Sequence, residues 1–249
     1  MDLGTLTDQI SSRSHVGSAT VHFFAQSPVT PGMRPRVGYD DLRKHSSDFF
    51  LSNGETEYLQ GNHIGLRHAS PGDVVLNPDS IKDAYMRIAA RLFGLAEFVS
   101  GDGKQPVLIG VGPSGERMLN ALSQYEGMTR LESSPLNINP YRDDTEGLPF
   151  DVGYHCTDPG LQIIHGRNIF LVDSVAMTGR TGSKALYVLS DMGRPESVYF
   201  AVLATRNGKE VPVVPNLAYV HLDQLSQELS AKLEGEPGNQ QLVIRKRNR

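Results

Sequence analysis

Cysteine is nearly absent from this chain. Cys156 is the only one in 249 residues, so neither a disulfide framework nor a cysteine-built zinc site forms within one chain, and a reducing, cytoplasmic setting is expected. A surplus of one charge sign is absent too. The formal net charge is −4, which gives no global electrostatic case for binding nucleic acid. The one dense basic run, Arg245-Lys246-Arg247-Asn248-Arg249, reads as a solvated terminus rather than an RNA clamp. No stretch approaches the roughly 18 apolar residues of a membrane span. The start, Met1-Asp2-Leu3-Gly4, lacks the basic residues and apolar core of a signal peptide. There are no internal repeats and no low-complexity segments. A soluble, intracellular protein with no membrane partner is the expectation.

What the chain does have is ordinary enzyme composition, 39% apolar and 21% charged residues, enough to build a real core. It divides near Pro71-Gly72. Residues 1–73 are rich in Ser, His and Gly and form an extension, either a small cap domain or a cover on the main one. Within it Ala19 to Ala25 alternates like a strand and Asp41 to Leu51 has the look of a short helix. Turn signals at Pro28, Pro31-Gly32, Pro35 and Asn53-Gly54 fill the rest.

Residues 74–249 are regular. Asn77 before Pro78 is a good helix start, a capping residue ahead of proline at the first helical position. Ile81, Ala84, Tyr85, Ile88, Leu92 and Leu95 then recur at helical spacing, so Tyr85 and its stripe are core. Pro106 to Val111 reads as a strand. The turn Gly112-Pro113-Ser114-Gly115 leads from it into a helix carrying Met118, Leu119, Ala121 and Leu122. Further strands are expected at Leu136 to Asn139, Ile169 to Asp173, Ser197 to Ala204 and Leu217 to His221, with a polar loop from Tyr141 to about Gly160. Strands alternating with helices indicate an α/β fold, a parallel sheet of about four or five strands flanked by helices. Ligands of such sheets sit at the carboxyl ends of the strands, where Gly112, Asp173 and Arg206 fall.

The run Ile169-Phe170-Leu171-Val172-Asp173-Ser174-Val175-Ala176-Met177-Thr178-Gly179-Arg180-Thr181 is the most informative in the chain. It reads as a buried strand, an acid, then a Thr/Gly turn opening into the helix of Ser183 to Met192. Backbone N–H groups at a helix start, hydroxyls from Thr178 and Thr181, and a glycine that lets the chain approach the ligand suit a phosphate dianion. Asp173, at the strand's carboxyl end, suits sugar hydroxyls or a divalent cation.

This run resembles the 5-phosphoribosyl-1-pyrophosphate (PRPP) loop of type I phosphoribosyltransferases. Other segments narrow the resemblance: Met86-Arg87-Ile88-Ala89, Leu108-Ile109-Gly110-Val111, Tyr141-Arg142-Asp143-Asp144, and the stretch through Gly193-Arg194-Pro195 and Ala201-Val202-Leu203 to Arg206, Glu210 and Pro212. In that order they resemble the bifunctional pyrimidine-operon attenuation regulator and uracil phosphoribosyltransferase family, from about Val74 to His221. The resemblance implies a hood near the carboxyl terminus. It also implies PRPP with its 5-phosphate on Thr178, Gly179, Arg180 and Thr181, its ribose on Asp173 with Ser174 beside it, and its pyrophosphate over Gly112, Pro113, Ser114 and Gly115. Mg²⁺ would bridge pyrophosphate and ribose at Asp173, Arg142 would act in catalysis, and Arg206 would belong to the wall of the base pocket. The Tyr141–Gly160 loop would be a lid, or else a plain surface excursion. Partners would be PRPP and a nucleobase or nucleoside monophosphate, with RNA weakly supported, in a homodimer or higher homo-oligomer.

The pattern departs from the family in three places. The second of two adjacent acids is Ser174. The Lys and Arg of the pyrophosphate turn are replaced by Gly112 and Ser114, a loss of two charge-assisted contacts worth roughly 1.5–3 kcal/mol each, for which Arg142, Arg180 or the amino-terminal segment would compensate. Met177 stands where purine-salvage relatives place an acid, which favours a pyrimidine-like or otherwise different base over hypoxanthine or guanine. Two functions follow from the resemblance: Mg²⁺-dependent phosphoribosyl transfer to a pyrimidine-like base, or non-catalytic binding of a nucleotide or PRPP by a regulator.

Two histidine features carry less. His63 and His68 flank Ile64-Gly65-Leu66-Arg67 in a stretch that suits phosphate or metal contact, yet the sequence supplies no third or fourth ligand in a sensible position, so they read as surface or capping histidines. His155 and Cys156 are adjacent, and in a strand adjacent side chains face opposite ways, which argues against a thiol–imidazole pair.

Overall fold

The computed structural model describes residues 56–59, 63–100, 104–138 and 164–247. The strands are β1 (Glu57–Tyr58), β2 (His63–Gly65), β3 (Val74–Leu76), β4 (Val107–Val111), β5 (Glu132–Leu136), β6 (Asn168–Ala176), β7 (Ser197–Thr205), β8 (Leu217–Asp223), β9 (Leu229–Glu234) and β10 (Gln241–Lys246). The helices are α1 (Pro78–Val99), α2 (Gly112–Leu122) and α3 (Arg180–Met192). A seven-stranded sheet runs β1-β8-β7-β6-β4-β5, with β2 also pairing with β8, and every pairing in it is parallel. A three-stranded antiparallel sheet, β3-β10-β9, forms the hood.

The central strands carry long apolar runs because helices cover both faces of a parallel sheet. All of β4 is buried, and Ile169, Phe170, Leu171 and Val172 of β6 are fully so. Each such side chain contributes roughly 1.5–3 kcal/mol by leaving water. Helix α1 starts as its sequence dictates, with the Asn77 side chain accepting from the Ser80 N–H at 2.9 Å ahead of Pro78. Its stripe from Ile81 to Leu95 is buried, and Tyr85 donates its hydroxyl to Gln240 Oε1 at 3.0 Å.

Three elements differ from expectation. The strand beside β4 is Glu132–Leu136, not Leu136–Asn139. Its Ser133-Ser134-Pro135 core reads as a turn, but among the described residues β5 pairs only with β4, and an edge strand tolerates proline. The sheet also takes in β1 and β2, which lie ahead of Pro71-Gly72. Arg91 of α1 holds β1 through a two-pronged ion pair with Glu57, at 2.6 and 2.9 Å. The basic tail is not a solvated end as far as it is described. Arg245 and Lys246 lie in β10, Arg245 pairs with Glu234, and Arg247 pairs with Glu210 at 2.6 Å. The strand and helix expected at 19–25 and 41–51, and the loop 141–160, lie outside the described residues.

Candidate functional site

A pair of glycines sets the site's geometry. A Cβ on Gly110 would lie 2.5 Å from the Gly115 carbonyl oxygen, and one on Gly115 would lie 2.6 Å from that of Val172. Without side chains at these positions the first turn of α2 lies directly against β4 and β6. Ser114 is thereby brought to Asp173, donating its hydroxyl to Oδ1 at 2.7 Å, and the Ser174 N–H donates to the same oxygen at 2.7 Å. Asp173 is 4% exposed at the carboxyl half of β6. A buried carboxylate is costly without such donors.

A cleft of about 370 Å³ opens beside it, lined among others by Pro113, Ser114, Asp173, Ser174, residues 175–179 and Thr181. The Thr/Gly turn forms its floor. Gly179 has φ +83°, and a Cβ there would lie 2.3 Å from the Val211 carbonyl oxygen, so both conformation and space require glycine. The Thr178 carbonyl accepts from the N–H groups of Glu210 and Val211 at 2.9 and 3.0 Å, which fixes the turn against the 210–213 segment. Helix α3 begins at Arg180 with no side-chain cap. The Arg180 N–H donates to Thr178 Oγ1 at 3.3 Å, and the N-terminal end of the helix, beside the cleft, is where an anion is favoured.

The cations of this cleft come from positions not foreseen. Arg117, one turn beyond Ser114 on α2, and Lys232 on β9 both line it, and both are exposed. Arg117 reaches the Leu233 carbonyl at 3.4 Å. The helical period makes Arg117 legible once α2 is recognised. No local signal points to Lys232, because the hood brings it there.

Two of the expected basic contacts are placed elsewhere. The Arg180 side chain turns away to Glu210 at 2.8 Å, so that the Glu210 carboxyl is held below its usual range by Arg180 first and by Arg247 next. Arg206 is not solvated, and its Nε lies 3.5 Å from the carbonyl of the cleft-lining Met177. It is 3% exposed, donating to the Ser226 carbonyl at 3.1 Å and to Gln227 Oε1 at 2.5 Å, and it ties the end of β7 to the segment before β9. Arg142 lies outside the described residues, as does the pair His155 and Cys156.

Lys209 lies in the stretch expected to form the base-pocket wall, and no local signal in the sequence singles it out. Its ammonium donates to the Ala176 carbonyl and, at 2.6 Å, to Thr205 Oγ1. It therefore sits where β6 and β7 both end, next to the cleft-lining residues Ala176 and Met177. Burial, then the nearby Arg206, lowers its pKa from 10.5 to about 8.

No family model matches the chain. Its similarity is to individual proteins. It is 31% identical to the Bifunctional protein PyrR of Chloroflexus aurantiacus over 175 residues, 68% of this chain and 93% of that one. It is likewise 31% identical to that of Halalkalibacterium halodurans over 181 residues, 69% of this chain and 96% of the relative. Against Bifunctional protein PyrR 1 of Lactiplantibacillus plantarum the identity is 34% over 148 residues, 56% and 81% of the two chains. Among solved structures, a hypoxanthine phosphoribosyltransferase of Trypanosoma cruzi superposes with a TM-score of 0.49 at 15% identity, over 72% of this chain and 98% of that one.

Proposed function

The chain belongs to the bifunctional PyrR family of type I phosphoribosyltransferases, and on that premise we propose that it transfers the phosphoribosyl group of PRPP to a pyrimidine-like base with release of pyrophosphate. The observation that carries this is the buried Asp173, held by Ser114 and Ser174, in one cleft with the Thr178–Thr181 turn. In this reading the turn holds the 5-phosphate through backbone N–H groups and the hydroxyls of Thr178 and Thr181. Asp173 accepts hydrogen bonds from the ribose hydroxyls. A nitrogen of the base attacks C1 while the C1–oxygen bond breaks and pyrophosphate leaves with the electron pair. The protein's part is to align the two and to stabilise the leaving charge.

Arg117 and Lys232 supply the positive charge that the turn 112–115 lacks. Lys209 offers a donor to a base carbonyl beside Met177, whose thioether excludes an acid from that spot. Asp173 fits a magnesium site of the usual kind, in which one or two protein carboxylates act with substrate oxygens. When bound there, Mg²⁺ would neutralise pyrophosphate charge.

One observation favours a second reading. Ser114 contributes no charge to the turn and spends its hydroxyl on Asp173, whereas a nucleoside monophosphate calls only on the Thr178–Thr181 turn and Asp173. A regulator that binds such a nucleotide without turning it over, with RNA as a further partner, follows from that.

Calorimetric titration with Mg²⁺-PRPP and with UMP separates the two. If Arg117 and Lys232 serve the pyrophosphate, Arg117→Ala and Lys232→Ala each weaken PRPP about tenfold, one lost charge-assisted contact, and leave UMP unmoved. Equal binding of PRPP by wild type and both variants would support the regulator.

A further inference from the structure

His63, expected to be an isolated surface histidine, has partners that only the fold supplies. Strands β2 and β8 are parallel with His63 in register with His221 and Gly65 with Asp223. Side chains two apart on a strand share a face, and register partners on neighbouring strands stand side by side. His63, His221 and Asp223 must therefore converge, while Leu222 points to the opposite face and is buried there.

The ligand-capable atoms of the three all lie within 4.8 Å of one another. His63 Nδ1 is 2.8 Å from Asp223 Oδ2, and His221 Nδ1 is 2.7 Å from Asp223 Oδ1. His221 is 2% exposed, and despite that short approach its Nδ1 makes no directed hydrogen bond. At this spacing either a proton or a metal ion can join the buried nitrogen to the carboxylate oxygen. The Tyr58 ring, 5.4 Å from His221 and 5.5 Å from His63, closes one side. Half-exposed His63 and one-third-exposed Asp223 leave the other side open to solvent.

We propose that His63, His221 and Asp223 bind one divalent transition-metal ion of the zinc class, clasping β2 to β8. Two imidazoles and one carboxylate select such ions over Mg²⁺ or Ca²⁺, and three protein ligands leave a fourth position for water. Bonds of about 2.0–2.2 Å place tetrahedral ligand atoms roughly 3.4 Å apart. Accepting the ion thus asks each imidazole–carboxylate approach to open by about 0.6 Å, which an edge strand and a strand end allow. The site is separate from Asp173, on a different strand, and does not rest on phosphoribosyl transfer.

The test uses tag-free full-length protein, stripped with a chelator, dialysed and titrated with Co²⁺, then with Zn²⁺. The expected result is saturation near one equivalent with the intense visible absorption of tetrahedral cobalt, bleached by zinc, together with a higher melting temperature in zinc. His63→Ala should weaken binding by more than about tenfold while its circular dichroism and its melting temperature in chelator match wild type. Asp223→Asn should do the same, and Asp173→Asn should bind metal as wild type does. His221→Gln alters a buried residue, so exposed His63 carries the test if that variant fails to fold. The proposal is overturned if wild type takes up no saturable equivalent, if His63→Ala binds as wild type does, or if Asp173→Asn abolishes the signal.

Discussion

A methyl group at position 179 would have to sit 2.3 Å from the Val211 carbonyl at φ +83°, a conformation that alone costs a non-glycine residue about 1–3 kcal/mol. Gly179→Ala should therefore lower unfolding free energy by at least about 2 kcal/mol in urea and weaken binding of UMP, whose phosphate needs the same turn. Lys209 makes a prediction about pH. Its folded pKa of about 8 lies below the ordinary 10.5, so between those values the unfolded chain holds the extra proton and stability rises with pH. The difference in stability between wild type and Lys209→Met should grow in favour of wild type from about pH 8 to 10.5 and stay flat below. If the ammonium meets the base, kcat/KM of the wild type falls above about pH 8, and the variant lacks that limb. A stability difference flat across pH 8 to 10.5 would contradict the burial of Lys209.

Strand β1 is two residues long and depends on what it ties to. Glu57→Ala leaves the Arg91 guanidinium, on a residue 8% exposed, without the carboxylate that grips it, and loss of one member of a buried pair costs about 3–5 kcal/mol. Urea denaturation should show a loss near the lower figure. A change under about 1 kcal/mol would mean that the pair behaves as a surface one. The elements legible in the sequence were those whose signals are local. Asn77-Pro78 marked the start of α1, and the apolar runs marked β4, β6, β7 and β8. Strand β5 was hidden by Ser133-Ser134-Pro135, tolerable only at an edge. β1 and β2 are too short to show a period. β9, Leu-Ser-Ala-Lys-Leu-Glu, carries residues equally at home in a helix, and β10 ends in the charges that read as a tail.

The same division between local and distant signals governs the site. The Thr178–Thr181 turn and Asp173 were legible because strand, acid and helix start are contiguous. Arg117 and Lys232 were not, since a helix turn and a second sheet bring them to the cleft, and the convergence of His63 with His221 and Asp223 depends on a register between strands far apart in sequence. Arg206 follows β7, and its hydrogen bonds to Ser226 and Gln227, partners far along the chain, are set by the fold and carry no local signal. No helix among the described residues is long and apolar enough to cross a membrane. Family and fold rest on agreeing observations, while the proposed chemistry turns on whether Arg117 and Lys232, which line the cleft, serve a pyrophosphate. The most direct test is pyrophosphate release from PRPP and Mg²⁺ across a panel of bases that includes uracil. The account predicts release with a pyrimidine-like base, abolished by Asp173→Asn. No release with any base, from a protein that still binds PRPP, would contradict phosphoribosyl transfer and leave a nucleotide-binding regulator.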